Sequence, residues 1–232
     1  MSSAGDAGRV AELAQSVVAE HDPKQVPVTE FLGACYDAGL SWVHFPVGLG
    51  GLGLSRGLQS VADRVLQGAG GPVPLGLNPM GYGMAAPTVR EHAQTDDLKR
   101  FFLRPLATTE DIWCQLFSEP GAGSDLAGLA TSAVRDGDEW IVNGQKVWTS
   151  LAHKARWGLL LARTDPDAPK HKGLTYFVLD MHAAGVQCRP LRQMTGQAEF
   201  NEVYITEARV PDAHRLGAVG DGWRVAMTTL MN

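Results

Sequence analysis

Apolar residues recur at helical spacing in the first part of the chain. Val10, Leu13, Ala14, Val17 and Val18 line one face of a first helix that the Asp22-Pro23 pair closes. A second helix is predicted from Val28 to Ala38. The run from Gly39 to Pro46, followed by Gly48-Leu49-Gly50-Gly51-Leu52-Gly53, holds too many glycines for a helix interior and reads as a packed loop. Ser55 is placed to cap a third helix carrying Leu58, Val61, Ala62, Val65 and Leu66, and Gly68 to Pro72 is a connection. Further helices are predicted near Pro79 to His92 and after a Thr95 cap, where Asp96 and Asp97 in the first turn and Arg100 and Arg104 near the end complement the helix dipole.

Around Asp111 the apolar period changes from helical to strand-like, which marks the expected domain boundary. Strands are predicted over Ile112 to Ser118, Thr131 to Arg135, Glu139 to Val142, Gln145 to Ser150, Trp157 to Thr164, Leu174 to Met181, Val186 to Leu191 and Phe200 to Ile205. Gly137-Asp138 lies between two of them, and Asn143-Gly144 carries the two-residue hairpin signature. That spacing implies a meandering antiparallel sheet or barrel. From Gly222 the pattern Trp223, Val225, Ala226, Leu230 is helical again, and the sequence ends too soon for that helix to be expected to pack in the ordinary way. The expected fold class is therefore α+β: an all-helical unit at 1–110, an antiparallel β-barrel-like middle unit at 111–218, and at 219–232 the start of a C-terminal helical bundle.

Composition narrows the function classes. A chain of 232 residues with 44% hydrophobic and 19% charged content can bury one large or two modest cores. Its formal net charge is −5 and it has no basic cluster, which argues against nucleic-acid or anionic-membrane partners. No segment reads as a signal peptide or a membrane span. Cys35, Cys114 and Cys188 are widely spaced and the seven histidines are scattered, so neither a disulfide framework nor a metal site is expected and a reducing cytoplasm suits the chain.

The candidate chemistry centres on Glu119-Pro120-Gly121-Ala122-Gly123-Ser124-Asp125. Proline biases Glu119 towards extended backbone, while Gly121 and Gly123 can take positive φ and bare their amides. Ser124 adds a hydroxyl donor and Asp125 a possible cap. Such a loop suits an anionic ligand as well as plain chain reversal. A second stretch, Gln145-Lys146-Val147-Trp148-Thr149-Ser150, lies further along, followed by Phe200-Asn201-Glu202-Val203 and Gly222-Trp223-Arg224-Val225-Ala226-Met227. In this order and spacing the set resembles the acyl-CoA dehydrogenase family of flavoproteins, from about Ala11 to the last residue.

The resemblance implies a helical domain, a flavin-binding β-domain and the beginning of the family's C-terminal bundle. It implies FAD as cofactor and α,β-dehydrogenation of an acyl-CoA thioester. It also implies an electron-accepting flavoprotein or similar acceptor, and a homodimer or tetramer. By the same resemblance Gln115, Leu116, Phe117 and Ser118 contact the pyrimidine edge of the flavin, and Gly123 and Ser124 lie along the FAD pyrophosphate. Ser124 also reaches the substrate's pantetheine. Trp148 packs on the flavin face away from substrate, with Thr149 and Ser150 beside the hydride-accepting nitrogen. The family commonly has threonine where Ser150 stands. Asn201, Glu202 and Trp223 to Met227 take structural roles, and Trp42, Trp113, Trp140 and Trp157 read as packing residues. Gly48 to Gly53 either shapes an acyl pocket or is an interhelical loop. The family's catalytic base, a bundle glutamate, is expected beyond Asn232, so no catalytic residue is assigned and the chain alone is expected to be inactive. The alternatives are a flavin oxidase or monooxygenase on the same scaffold, and a non-catalytic FAD- or CoA-binding subunit or remnant.

Overall fold

The structure, a computed structural model, describes residues 3–192 and 200–231. Helix α1 (Ser3–Glu20) lays Val10, Ala14 and Val17 against Phe31, Leu32 and Cys35 of α2 (Val28–Asp37) and Ala62 and Leu66 of α3 (Gln59–Gly68). Ser55 makes no capping bond. It precedes a 3-10 turn, Arg56–Leu58, that leads into α3. Gln59 takes over as the local anchor, donating to the Leu40 carbonyl at 2.9 Å and accepting from the Val43 amide at 2.8 Å. The glycine run is needed for packing, because a Cβ on Gly51 would stand 2.1 Å from the Phe45 carbonyl oxygen and one on Gly50 2.6 Å from the Tyr36 ring.

After the short α4 (Pro74–Leu77) and a π-helical turn at Met80–Ala85 come α5 (Ala86–His92) and α6 (Asp96–Ala107). The Thr95 hydroxyl accepts from the Leu98 amide, and Asp96 and Asp97 pair with Lys99 and Arg100 one turn on, so the expected cap and charge order are both present.

Eight strands follow: β1 (Trp113–Leu116), β2 (Ser132–Asp136), β3 (Glu139–Ser150), β4 (Trp157–Arg163), β5 (Leu174–Asp180), β6 (Val186–Leu191), β7 (Phe200–Pro211) and β8 (Arg215–Leu216). They form one sheet in the order β6-β7-β3-β2-β4-β5-β8, with β1 running parallel beside β4. The sheet curls around Trp140, Leu160, Phe177, Val203 and Val210, which gives it a barrel-like interior. It does not close, for β6 and β8 pair only with β7 and β5 among the described residues.

The apolar runs of β4 and β5 are explained by burial on both faces. Trp157, Leu159, Leu161, Tyr176 and Val178 lie in one core with helical residues such as Val89, Phe102 and Ala226, while Leu160, Ala162, Phe177 and Leu179 face the sheet interior. Helices and sheet thus share a core.

The Asn143-Gly144 hairpin is a correction. Both residues lie inside β3, at a register shift against β7, and the β2–β3 turn is made by Gly137-Asp138, where Gly137 has φ +65°. The Asn143 side chain accepts from the Glu207 amide at 2.9 Å. A Cβ on Gly144 would stand 2.2 Å from the Thr131 hydroxyl, so this glycine admits a neighbouring chain instead of turning its own. The last helix, α7 (Gly222–Leu230), also departs from expectation, since it packs. Val225 and Ala226 are buried, and the Thr229 hydroxyl bonds those of Thr88 and Tyr176 at 2.9 and 2.8 Å.

Candidate functional site

Two segments distant in sequence meet where β1 ends and β3 ends. The Val147 amide donates to the Ser118 carbonyl at 2.9 Å. One residue earlier Lys146, with no exposed surface, donates to the Phe117 carbonyl at 3.1 Å, to Glu119 Oε1 at 2.8 Å and to the Leu161 carbonyl at 2.9 Å. Glu119 also accepts from the Ala130 and Thr131 amides at 2.7 and 3.0 Å, which draws the far end of the loop back to its start. Burial pulls the Lys146 ammonium down from its ordinary value, and the Glu119 carboxylate beside it, by charge and hydrogen bond, opposes that pull. Burial pushes Glu119 the other way, but the Lys146 charge and its hydrogen bonds outweigh that and hold it below the ordinary carboxylate value.

Past Lys146 the β3–β7 pairing slips, and Trp148 takes φ +59°, a left-handed conformation that is rare for a bulky residue. The slip turns the indole outward. Trp148 is 61% exposed, touched edge-on by Phe200 at 5.9 Å, while Val147 and Thr149 on either side are buried. Thr149 and Ser150 pair with Asn201 and Phe200, and the buried Asn201 donates to the Thr149 carbonyl at 3.0 Å and lies 3.2 Å from His153 Nδ1. The Thr149 hydroxyl and the Gln115 side-chain amide are both buried without a hydrogen-bond partner among the described residues. Each would carry a desolvation cost that a ligand could remove.

Among the other expected site residues, Leu116 and Phe117 point into the core on either side of β1, which leaves only their backbone for a ligand. Ser118 is half-buried, and Gly121, Gly123 and Ser124 are exposed. Neither loop glycine has positive φ, contrary to expectation, and a Cβ on either would meet nothing within 4 Å. Fold geometry does not require glycine at 121 or 123. What glycine leaves there is bare backbone. Asp125 makes no capping bond and pairs with Lys170 at 2.8 Å.

In the sequence Glu119 and Lys146 stand out only as members of their motifs. The signal that could have singled out the lysine was parity, for Trp140, Val142 and Lys146 fall on alternate, buried positions of β3. A cavity of about 700 Å³ lies elsewhere, lined among others by Phe31, Trp42, Phe45, Arg56, Leu66 and Tyr82. None of the expected site residues lines it. Among the described residues no cluster of His, Cys, Asp and Glu could hold a metal ion, and no helix is long and apolar enough to cross a membrane.

A sequence model of the acyl-CoA dehydrogenase middle domain matches residues 114–208, a span from β1 into β7 that takes in the loop and the end of β3. The chain is 52% identical over 199 residues to the acyl-CoA dehydrogenase FadE34 of Mycobacterium tuberculosis, covering 86% of this chain and 27% of that protein. To the acyl-CoA dehydrogenase IpdE1 of the same organism it is 46% identical over 196 residues, covering 83% and 49%. The chain belongs to the acyl-CoA dehydrogenase family. It spans half or less of the length of these two relatives. Among solved structures, the ChsE4-ChsE5 complex of M. tuberculosis superposes with a TM-score of 0.71 at 32% identity, covering 97% of this chain and 59% of that one. The Tcur3481-Tcur3483 steroid ACAD gives 0.70 at 29%, covering 99% and 61%.

Members of this acyl-CoA dehydrogenase family are FAD-dependent. An isoalloxazine presents a flat face and a rim of hydrogen-bonding groups, and FAD carries a pyrophosphate. The outward Trp148 ring, the partnerless Thr149 hydroxyl and Gln115 amide, and the bare 121–123 backbone fit those three demands in turn.

Proposed function

We propose that this chain carries the helical and flavin-binding parts, at 1–110 and 111–218, of a cytoplasmic FAD-dependent acyl-CoA dehydrogenase, with 219–232 opening its C-terminal bundle. The reaction removes a proton from the α-carbon and a hydride from the β-carbon of an acyl-CoA thioester, leaving the trans-2-enoyl thioester. FAD, when bound, supplies the hydride acceptor. Trp148 stacks on the flavin face and excludes water from it. Thr149 and Ser150 donate hydroxyl hydrogen bonds where negative charge accumulates, and Gln115 to Ser118 hold the polar rim of the ring. Gly123 and Ser124 carry the pyrophosphate, and Ser124 also meets the pantetheine of the substrate. No residue of the chain is assigned as the base. The neighbour named a steroid ACAD favours a bulky acyl group. The ChsE4-ChsE5 neighbour, a complex of two proteins, favours assembly with a second subunit.

The observation that carries the proposal is the outward Trp148 beside the partnerless Thr149 hydroxyl, held against the loop through Val147 and Lys146. Absorbance spectra of the product of the complete reading frame test it. Bound flavin that bleaches with acyl-CoA thioesters is expected, whereas a colourless protein that takes up no added FAD would refute it.

A further inference from the structure

Replacing a buried ion pair by apolar residues of similar size is often neutral or stabilising, so stability alone does not explain Lys146 and Glu119. Their geometry does. The three acceptors of the Lys146 ammonium come from three places: the end of β1 at Phe117, the loop at Glu119, and β4 at Leu161. Glu119 in turn closes the 119–131 loop on itself through the Ala130 and Thr131 amides. The next residue along β3, Val147, bonds Ser118, and the one after it is the strained Trp148. Two apolar side chains could fill this volume, but they could not direct three carbonyl or carboxylate oxygens to one point.

We propose that the Lys146–Glu119 pair is a positioning device that sets the spacing between the Ser118–Ser124 loop and the Trp148–Ser150 strand end, and so governs FAD affinity separately from fold stability. The inference rests on the reading of these segments as a flavin site. Both residues act through their neighbours, since both are buried beneath the segments they hold.

The experiment compares the product of the complete reading frame with its Lys146→Met, Glu119→Gln and Glu119→Gln/Lys146→Met variants. FAD affinity is measured by titrating flavin-free protein, and the thermal midpoint is measured without flavin. Each single variant leaves buried groups unpaired and loses both stability and affinity. The double variant leaves no uncompensated buried charge, so its midpoint lies above those of both single variants. Its FAD dissociation constant stays raised by about tenfold or more, because the pre-set spacing is lost. Its bound flavin is also brighter in fluorescence than the parent's, since the ring is no longer held against Trp148. A double variant that binds FAD as the parent does would overturn the inference, and so would one that fails to fold, since the pair would then be a folding requirement. A parent that binds no FAD would be a different failure, that of the functional reading itself, and the inference would fall with it.

Discussion

Trp148 and Trp157 stand nine residues apart in strands of one sheet, and the fold treats them in opposite ways. Trp157 is 4% exposed. Its indole N–H donates to Asp111 at 2.8 Å, Phe102, Trp113 and His214 surround its ring, and the Arg156 guanidinium lies 4.5 Å from the ring centre. Trp148 has one aromatic neighbour, most of its surface bare and a left-handed backbone. The difference separates two uses of one residue type. Where a tryptophan is satisfied by the protein it stabilises the fold, and where the backbone is strained to turn it outward, its face is left open to whatever lies outside the chain.

The largest expected effect lies on the satisfied side. Trp157→Ala opens a cavity and unpairs Asp111, costing roughly 3–5 kcal/mol in denaturant or thermal unfolding. A loss smaller than that of Trp148→Ala would reverse the assignment. Next comes the strain. Trp148→Gly in flavin-free protein is expected to be neutral or to stabilise by up to about 1 kcal/mol, because glycine takes positive φ without a Cβ clash. A clear destabilisation would show that the indole contributes to the fold.

A third test extends the satisfied class to Trp140, whose indole N–H donates to Asp212 at 2.7 Å. Hydrogen bonds from Arg215 first, with a contribution from Trp140, hold Asp212 down at about 2 against an ordinary value of 3.8. The unfolded chain therefore binds more protons between those values. Stability from this group is fully present above about 4 and is lost as pH falls through about 2. Asp212→Asn should flatten the acid limb of the unfolding midpoint against pH, and an unchanged limb would place the acid sensitivity elsewhere.

How much of this was legible in the sequence differs along the chain. Helices and strands with unbroken apolar periods, such as α1 and β4, were readable because burial imposes the period directly. The Asn143-Gly144 bulge was not, since Asn-Gly is also a hairpin signature and the crowding Thr131 hydroxyl belongs to another segment. Lys146 escaped because a lysine reads as solvent-facing until its partner, 27 residues earlier in the chain, is brought beneath the sheet. Neither composition nor period reveals that Trp148 turns outward. Family resemblance alone pointed to it, and the bulge is the physical means.

The smallest predicted effect sharpens the outward side. Ser150→Ala in the flavin-bound protein removes a donor from the region of developing charge and should lower the flavin reduction potential. A net hydrogen bond of about 0.5–1.5 kcal/mol corresponds to roughly 10–30 mV for a two-electron couple. Ser150→Thr should leave the potential at the parent value. An alanine variant with an unchanged potential would mean that the Ser150 hydroxyl points away from the ring.

The most direct test of the central claim, that Trp148 is turned out to meet a flavin, is FAD titration of flavin-free parent and Trp148→Ala proteins, followed by flavin fluorescence. The parent should bind FAD with its emission strongly quenched by the stacked indole. The variant should bind about tenfold or more weakly and with brighter bound flavin, while its flavin-free thermal midpoint stays within about 3 °C of the parent, since little buried surface is lost. Equal affinity and equal quenching in the two proteins would contradict the account.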